Sequence, residues 1–210
     1  MYNPKHFEER DIAVLHALIR SHPLSTWVTI AGGELVANHI PFFVDPARGA
    51  NGTLVGHVAR ANPVWNSFSK DVPSLVVFQG PEGYISPSFY ASKKEHGKVV
   101  PTWNYAVVHA YGTPRAIEDA AWLRGHVTAM TDLQESRHQA VPWAVTDAPA
   151  DFIESMVKMI VGIEIPVARL EGKWKMSQNR AMPDRVGTVE GLRERGDVEM
   201  AALVERLGAR

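Results

Sequence analysis

The sequence predicts a mainly β protein, an antiparallel barrel of about six or seven strands with peripheral helices. Short alternating or apolar segments separated by turn residues follow one another from residue 24 to residue 117, which is hairpin order. Segments with helical periodicity interrupt them only later, at 119–131 and 149–161. Strands and helices do not alternate in the way that parallel βαβ units require. We therefore expect hairpin connections and not a doubly wound sheet.

An amphipathic helix and a hairpin are expected near the amino terminus. Apolar residues recur on one helical face over 11–21, and His22-Pro23 ends the pattern. Residues 24–30 alternate, and after a turn that contains two glycines the chain returns over 35–44 as a second strand. These two elements start the sheet.

The next elements are shorter. A strand is predicted over 53–58, followed by a helix that Asn62 caps and Pro63 begins. The apolar strand over 74–79 then meets Gly-Pro-Glu-Gly at 80–83, which is typical of a turn. We expect the chain to reverse there.

The later part combines strands and helices. A short strand over 84–86 and a long one over 98–117 come first. Asp119 caps the first inserted helix. Residues 163–167 alternate, and 170–176 continue that strand past a bulge near Arg169 and Gly172.

One barrel domain is expected over 1–180, with inserted helices at 119–131 and 149–161. Residues 181–210 are expected to form a helical tail packed on the barrel, since 197–207 have helical periodicity.

Composition excludes several classes of function. The 210 residues include no cysteine, which removes disulfides, thiolate metal sites and cysteine nucleophiles. The formal net charge of -1 gives no global attraction for a polyanion such as DNA. The amino terminus lacks the apolar segment of a signal peptide, and no stretch approaches a membrane span, so we expect a cytoplasmic protein.

The stretch 98–112 contains polar and aromatic groups in what otherwise resembles one long strand. Pro101 removes a backbone donor, which favours a strand edge or a bulge. Trp103 and Tyr105 offer flat walls for a planar ligand, and Asn104 offers hydrogen bonds. In the alternative interpretation the two rings belong to the core or an interface and Asn104 stabilises the bulge.

Three other stretches contain candidate ligands. In 56–63 a strand places His57 and Arg60 just before a helix start, which suits a phosphate, although an ordinary surface arginine is the competing interpretation. The segment 83–98 combines aromatic rings, serines and lysines in a loop, either functional or solvated. The segment 171–180 gathers donors after the last strand, either for a ligand or for a solvated rim.

No catalytic motif is present. The histidines are scattered and form no zinc-binding pattern, so no metal is expected. The glycine-rich signatures of dinucleotide and phosphate loops are absent, as is the serine-hydrolase elbow.

Taken in order, these motifs resemble the PaiB-like FMN-binding proteins, a family labelled negative transcriptional regulators. The similarity runs from residue 1 to about 190. The motifs that carry it are MYNPKHF, NHIPF, GHVARANP, FQGPEGYISPSFY, GKVVPTWNYAVVHAYG and EIPVARLEGKWKMSQN. The resemblance implies a split β-barrel of the pyridoxamine-phosphate-oxidase type, a Greek-key barrel that forms a homodimer with flavin mononucleotide (FMN) at the subunit interface.

The resemblance also implies where the flavin contacts the chain. The phosphate is expected near 57–62, mainly at Arg60 with help from Lys173, and the ring edge near 26–29, His39 and 101–105. Residues from 84 to 90 close the site, in part from the partner subunit. The full set is Thr26, Val28, Thr29, His39, His57, Ala59, Arg60, Asn62, Tyr84, Ser86, Tyr90, Thr102, Trp103, Asn104, Tyr105 and Lys173.

Three functions remain open at this point. The first is a flavin-linked regulator or sensor. The second is an FMN-dependent oxidoreductase, in which the proton donor would be His39, His57, Tyr84 or Tyr105. The third is a haem-handling protein that binds haem through a histidine in the groove. Direct DNA binding follows from the family label alone, because no basic recognition helix is evident. The only candidate DNA contacts are the tail arginines, Arg185, Arg193, Arg195, Arg206 and Arg210.

Overall fold

A computed structural model describes residues 1–208 of the chain. Its helices are α1 (Ile12–Ser21), α2 (Val64–Ser67), α3 (Ser92–His96), α4 (Ala120–His138), α5 (Ala150–Val157), α6 (Met182–Glu194) and α7 (Val198–Gly208). Its strands are β1 (Glu8–Glu9), β2 (Leu24–Ala31), β3 (Glu34–Pro41), β4 (Phe43–Asp45), β5 (Thr53–Ala59), β6 (Ser74–Ile85), β7 (Thr102–Gly112), β8 (Arg115–Ile117), β9 (Ile160–Pro166) and β10 (Arg169–Lys175). The predicted architecture of antiparallel sheets with peripheral helices is confirmed.

The chain divides into two compact units. Unit 1 contains 1–18, 79–109 and the residues from 171 onward, and unit 2 contains 19–78 and 110–170. In the described residues, none of the helices is long and apolar enough to span a membrane.

Unit 1 has the strand order β1-β10-β7-β6. Its buried side chains come from α1, the strands and the two tail helices, with Leu15, Leu18, Leu192 and Val204 almost fully enclosed. Gly172 of β10 lets α1 approach closely, because a Cβ at this position would lie 2.2 Å from a methyl group of Leu15. The tail therefore belongs to the core of this unit, and its helix over 197–207 is confirmed as α7.

Unit 2 contains the order β6-β2-β3 in one sheet and β4-β5-β9-β8 in the other. The hairpin predicted from the glycine turn is confirmed, with Thr26 opposite His39. Trp27 is fully buried between the rings of Phe42 and Phe68, at centroid distances of 6.1 and 6.3 Å. The second sheet is antiparallel throughout, since β5 pairs with β9 and β8 pairs with β9.

The turn predicted at 80–83 is wrong. β6 runs without interruption from Ser74 to Ile85. The two glycines serve packing: a Cβ at Gly80 would lie 2.8 Å from Leu18, and one at Gly83 would lie 3.3 Å from Met200. Glycines that indicate a turn in sequence can equally mark close approach of neighbouring elements.

Three predicted strands divide in the structure. The strand over 35–44 ends at Pro41, which has no N–H for a ladder, and β4 then pairs with β5 in the other sheet. The strand over 98–117 begins only at Thr102 and breaks at Thr113-Pro114. The segment over 163–176 forms β9 and β10 as separate strands and not one bulged strand.

Stacked side chains of α4 pack this helix against the second sheet of unit 2. The ring of Trp122 lies against Gly162 of β9, where a Cβ would come within 2.3 Å of the indole. Trp122 stacks on His126 at 5.2 Å between centroids, and Nε2 of His126 lies 3.1 Å from Nδ1 of His57 on β5. Asp119 caps the helix by accepting a hydrogen bond from the Trp122 N–H, as predicted. The helix continues to His138, beyond the predicted end at 131.

Replacing Gly162 by valine should destabilise the protein by about 1–3 kcal/mol, because the added side chain must displace the Trp122 ring from a packed layer. The free energy of unfolding in urea measures this. Gly125→Ala is the matched control: it lies on α4 with open space around its Cβ position, so it should be neutral or stabilising by about 1 kcal/mol. Equal stability of the valine variant and the parent would contradict the packing argument.

The histidine pair should make stability sensitive to acid. Burial, assisted by the neighbouring His57, lowers the pKa of His126 from 6.5 to about 4. Below pH 6.5 the unfolded chain therefore protonates His126, whereas the folded chain does so only near pH 4. The free energy of unfolding decreases as the pH falls through this window, by up to about 3 kcal/mol.

His126→Phe keeps a ring on Trp122 and removes the titrating group. We expect its free energy of unfolding, relative to that of the parent, to improve steadily from pH 6.5 to pH 4. Parallel curves for the two proteins over this range would show that His126 does not titrate on unfolding.

Candidate functional site

Aromatic side chains cover part of one sheet face in unit 1. Trp103 and Tyr105 lie two residues apart on β7 and so point to the same face, and Tyr84 comes from β6. The rings of Tyr84 and Trp103 meet edge to face at 5.8 Å. Tyr84 is 40% and Trp103 is 53% exposed, which is unusual for rings of this size. The described residues therefore leave an aromatic wall open to a ligand.

Lysines border this wall. Nζ of Lys173 lies 5.2 Å and Nζ of Lys175 lies 6.0 Å from the centroid of the Tyr105 ring. The Lys173 ammonium also donates to the backbone carbonyl of Tyr2, and the Lys175 ammonium donates to the hydroxyl of Thr102. The combination of flat rings and ammonium groups suits a planar anionic ligand.

Asn104 points to the opposite face of β7 and is fully buried. It exchanges hydrogen bonds with the hydroxyl of Ser177, its Nδ2 donating at 3.1 Å and its Oδ1 accepting at 3.3 Å. Of the two interpretations of the 98–112 stretch, Asn104 thus fits the structural one, while Trp103 fits the ligand wall. Strand alternation separates the two roles.

The segment after β6 is held from within unit 1. Ser86 caps a short 3-10 turn by accepting from the Ser88 N–H. Tyr90 is 2% exposed and lies under the guanidinium of Arg180, 4.5 Å from its ring centroid. Asp184 of α6 accepts hydrogen bonds from the N–H and the hydroxyl of Ser92. The tail helix α6 therefore anchors this segment.

In unit 2, Arg60 is already engaged. Its Nε and one terminal nitrogen donate to the backbone carbonyls of Lys158 and Ile160, at 2.8 and 3.1 Å. Its other terminal nitrogen donates to Glu118 at 2.6 Å. The guanidinium lies 5.7 Å from the ring centroid of Trp65, beside an open groove of about 450 Å³. A carboxylate thus occupies the one side of Arg60 that faces no carbonyl.

The groove beside Arg60 has an aromatic and cationic lining. Its lining residues are Trp65, Asn66, Phe68, Lys70, Thr113, Pro114, Arg115 and Ala116.

The neighbours of Arg60 in sequence have defined partners. α2 begins one residue later than predicted, with Pro63 and not Asn62 at its N-cap position, although Asn62 accepts from the Val64 N–H. Asn62 also donates to Oδ1 of Asn38 at 2.8 Å. Nδ2 of Asn38 is buried with no partner among the described residues. Burial lowers the pKa of His57, whose Nδ1 meets His126, so His57 is a neutral, partly enclosed ring.

The remaining predicted residues of unit 2 lie on the β2-β3 hairpin and at the end of β5. Thr26 and His39 are cross-strand partners joined by a hydrogen bond of 3.2 Å. Thr29 is buried and accepts from Ser74. Val28 is half-buried, and Ala59 is exposed. Thr26, Val28, His39 and Ala59 are thus accessible, while Thr29 is enclosed.

The predicted site residues therefore divide between the two units. Within unit 1 the structure brings together Tyr84, Trp103, Tyr105 and Lys173 on one sheet face, and Thr102 lies at the start of β7, where its hydroxyl accepts from Lys175. Sequence reasoning missed Lys175 and Arg180 in unit 1 and Glu118 in unit 2. The alternation of Lys173 and Lys175 along β10 was the available signal for the first of these. In the described residues, no cluster of three or more His, Asp or Glu side chains could hold a metal ion.

Comparisons with known proteins support the resemblance. The chain is 32% identical over 208 residues to the protease synthase and sporulation protein PAI 2 of Bacillus subtilis, covering 98% of this chain and 97% of that protein. It is 35% identical over 222 residues to an uncharacterized protein of Emericella nidulans, covering 90% and 88%.

Solved structures show the same fold at low identity. The FAD and heme binding protein from Mycobacterium smegmatis superposes with a TM-score of 0.57 at 17% identity, covering 80% of this chain and 73% of that one. This similarity shows a shared fold, which agrees with the split β-barrel that the sequence predicts. In this chain the described strands form separate sheets and do not close into a continuous barrel.

The family model described as "Putative FMN-binding domain" matches residues 1–169. With that match and the relative from Bacillus subtilis that extends over almost the entire chain, the protein belongs to this FMN-binding domain family.

Proposed function

We propose that this protein binds FMN as a homodimer and acts as a flavin-linked regulator or sensor. The observation that carries the proposal is the open aromatic wall of unit 1 with its bordering ammonium groups. Isolated exposed aromatics are ordinary, but three rings with two lysines on one sheet face form a surface that fits a flat, electron-poor ring system with an anionic substituent. Bound FMN would supply reversible one- or two-electron redox chemistry.

Residues of unit 1 fit the isoalloxazine ring. Tyr84, Trp103 and Tyr105 offer stacking or edge contacts, and the Thr102 hydroxyl lies at the edge of this wall with a lysine beside it. Asn104 and Tyr90 are buried, so we assign them to holding the wall and the adjacent segment in place. Ser86 keeps the start of that segment in its turn.

Residues of unit 2 fit a phosphorylated chain. Arg60 lies beside the aromatic groove, and Asn38 offers an unused buried donor on β3 next to Asn62. Glu118 holds the position at Arg60 that an anion would take. We propose that a phosphate replaces this carboxylate, because the guanidinium keeps both backbone contacts during the exchange. His57 lies in the same stretch and contributes packing and not charge, since burial lowers its pKa and its Nδ1 meets His126.

A second copy of the chain would cover the open edge of unit 2. β3 ends its sheet in the described part of the chain, and its outward residue Leu35 is 78% exposed. An uncovered edge with apolar side chains favours pairing with another chain. We propose that this hairpin contributes to the dimer interface.

Regulation is proposed to be indirect. Of the tail arginines considered as DNA contacts, Arg193 pairs with Glu205 and Arg195 pairs with Asp197. Such pairing leaves little free positive charge for phosphates at these two residues. Arg210 lies outside the described residues. The relative from Bacillus subtilis carries a name that refers to protease synthesis and sporulation, which supports a regulatory role for this chain as well.

Titration of the purified apoprotein with FMN tests the proposed function. We expect saturable binding with the visible absorption of protein-bound oxidised flavin, because the aromatic wall of unit 1 and its lysines offer contacts for the ring. Arg60→Ala should weaken FMN binding about tenfold or more if Arg60 takes the phosphate. Glu118→Gln, the matched partner variant, should strengthen binding because it removes the competing carboxylate.

The spectrum also separates the alternatives. A haem band without flavin would reject the proposal in favour of haem handling, and turnover of a nicotinamide by the FMN complex would favour an oxidoreductase. Unchanged FMN affinity in both the Arg60 and the Glu118 variant would show that the phosphate does not bind at Arg60.

The dimer is tested by sedimentation equilibrium. The parent should have twice the mass of the chain, and Leu35→Glu should shift it towards the monomer because a charge would enter the covered edge. Val141→Glu is the matched control, since Val141 is 88% exposed and lies outside the strands. A monomeric parent at all concentrations would rule out the dimer.

A further inference from the structure

The tail helices α6 and α7 of unit 1 enclose a groove of about 190 Å³. All of the residues that line it come from these two helices. The volume is below the roughly 300–1,000 Å³ that is typical of sites for drug-sized ligands. The groove, which we call the α6–α7 groove, is therefore of a size for one short chain.

The packing of α6 determines which of its faces lines the groove. Gly187 and Gly191 lie one turn apart, and a Cβ at either position would overlap the backbone oxygen or the ring of Phe89. The glycine face of α6 is therefore pressed directly against the segment that contains Phe89. With about 3.6 residues per turn, Arg185 and Val189 lie on the opposite face, which is the face that lines the groove.

The walls of the α6–α7 groove are aliphatic. Val189 and Val204 are almost fully buried, whereas Met182 is 60% and Val186 is 48% exposed. All four residues line the groove. Among the described residues that line it, none has an aromatic ring. Covering these side chains with an apolar group is favourable, and a branched aliphatic chain matches their shape.

The guanidinium of Arg185 has an unused edge at this groove. Its Nε is buried and has no hydrogen-bond partner among the described residues. Nη2, which lies on the same edge, donates to the thioether sulfur of Met182 at 3.2 Å, and a thioether is a weak acceptor. Within residues 1–208, none of the ion pairs includes Arg185. A buried donor without an acceptor is unfavourable, so this edge favours a ligand that supplies oxygen atoms.

The other charges at the groove favour a ligand with one negative charge over a ligand with two. Arg193 of α6 pairs with Glu205 of α7 at 2.7 Å, so its charge is already balanced. Glu190 also lines the groove and would repel a second negative charge. One carboxylate can accept two parallel hydrogen bonds from the free edge of Arg185. A phosphate dianion would find no further unpaired cation among the described residues that line the groove.

We propose that the α6–α7 groove binds a small aliphatic monocarboxylate. The carboxylate accepts hydrogen bonds from Nε and Nη2 of Arg185 and replaces the sulfur of Met182 as acceptor. The branched chain covers Val186, Val189 and Val204. The groove contains none of the residues assigned above to flavin binding or to the dimer interface, so this site is independent of the proposed function.

Isocaproate is the probe, and isocaproamide is an uncharged control ligand of the same shape. Full-length protein with isotope-labelled arginine and valine is titrated with each compound and followed by NMR. We expect isocaproate to cause saturable shifts of the Arg185 Nε–H resonance and of the Val186, Val189 and Val204 methyl groups. The amide should bind about tenfold or more weakly, because it cannot form the charge-assisted pair.

The titration is performed with and without added FMN. Both samples should respond alike, because the groove contains no residue assigned to the flavin. A protein that fails to bind FMN would reject the proposed function and leave the isocaproate titration readable.

Variants test the two halves of the groove separately. Arg185→Gln removes the charged edge and should weaken isocaproate binding about tenfold or more. Arg206→Gln is the matched control, since Arg206 is exposed on α7 and does not line the groove; it should bind like the parent. Val186→Thr keeps Arg185 and adds a hydroxyl to the apolar wall, so isocaproate should bind severalfold more weakly. Val186 is half-exposed, so this variant remains usable if the Arg185 variant does not fold.

Equal affinity for isocaproate and isocaproamide would overturn the proposal, and so would parent-like affinity in both the Arg185 and the Val186 variant. Resonances that shift with protein concentration and not with isocaproate would also overturn it, because a second copy of the chain would then cover the groove.

Discussion

The hydrogen-bonded pair of Asn104 and Ser177 is the constraint on which the features of unit 1 depend. Both residues are buried, at 0% and 3% exposure, and they are 73 positions apart in the chain. A buried amide and a buried hydroxyl must form their hydrogen bonds with one another, because leaving either one unpaired would cost about 1–3 kcal/mol of desolvation free energy. Their hydrogen bond fixes the turn after β10 to the first part of β7. Everything that this turn presents, including Arg180, is therefore held relative to the aromatic wall.

The same pair explains why β7 contains residues that an ordinary core strand would not. Alternation sends Asn104 inward and Trp103 and Tyr105 outward, so the polar residue builds the frame and the rings form the surface. Valine at 104 would pack well but would leave Ser177 without its partner. One face of β7 thus holds the strand in the core of unit 1, and the other face forms the aromatic wall.

Much of the fold follows from local sequence signals. The helix over 11–21, the first hairpin and the Asp119 cap depend on periodicity and capping, which act over a few residues, and the structure has all three. The turn predicted at 80–83 fails for a reason outside that range: Gly80 and Gly83 are small because Leu18 and Met200 pack against them. A glycine needed for contact cannot be distinguished from one needed for a turn until the partners are known.

The candidate site divides in a similar way. Residue type alone singled out Trp103, Tyr105 and Arg60, because exposed rings and a guanidinium before a helix start have few ordinary explanations. The same reasoning did not reveal that Glu118 pairs with Arg60 or that the guanidinium of Arg180 lies over the Tyr90 ring. Those contacts depend on long-range packing and on the left-handed backbone conformation of Ser177, and neither has a local sequence signature. Arg60 of unit 2 pairs with a carboxylate, whereas the ammonium groups of Lys173 and Lys175 in unit 1 donate to a backbone carbonyl and to a hydroxyl.

The turn that presents Arg180 lies beyond residue 169, where the family match ends. Within this segment, relatives must keep the buried Ser177 hydroxyl and the core side chains of α6 and α7, whereas accessible side chains such as Arg180 can change at little cost to folding. Divergence there would alter which small molecules a member accepts while leaving its classification unchanged. Differences in ligand preference among these proteins should accordingly be sought in the segment that follows the shared domain.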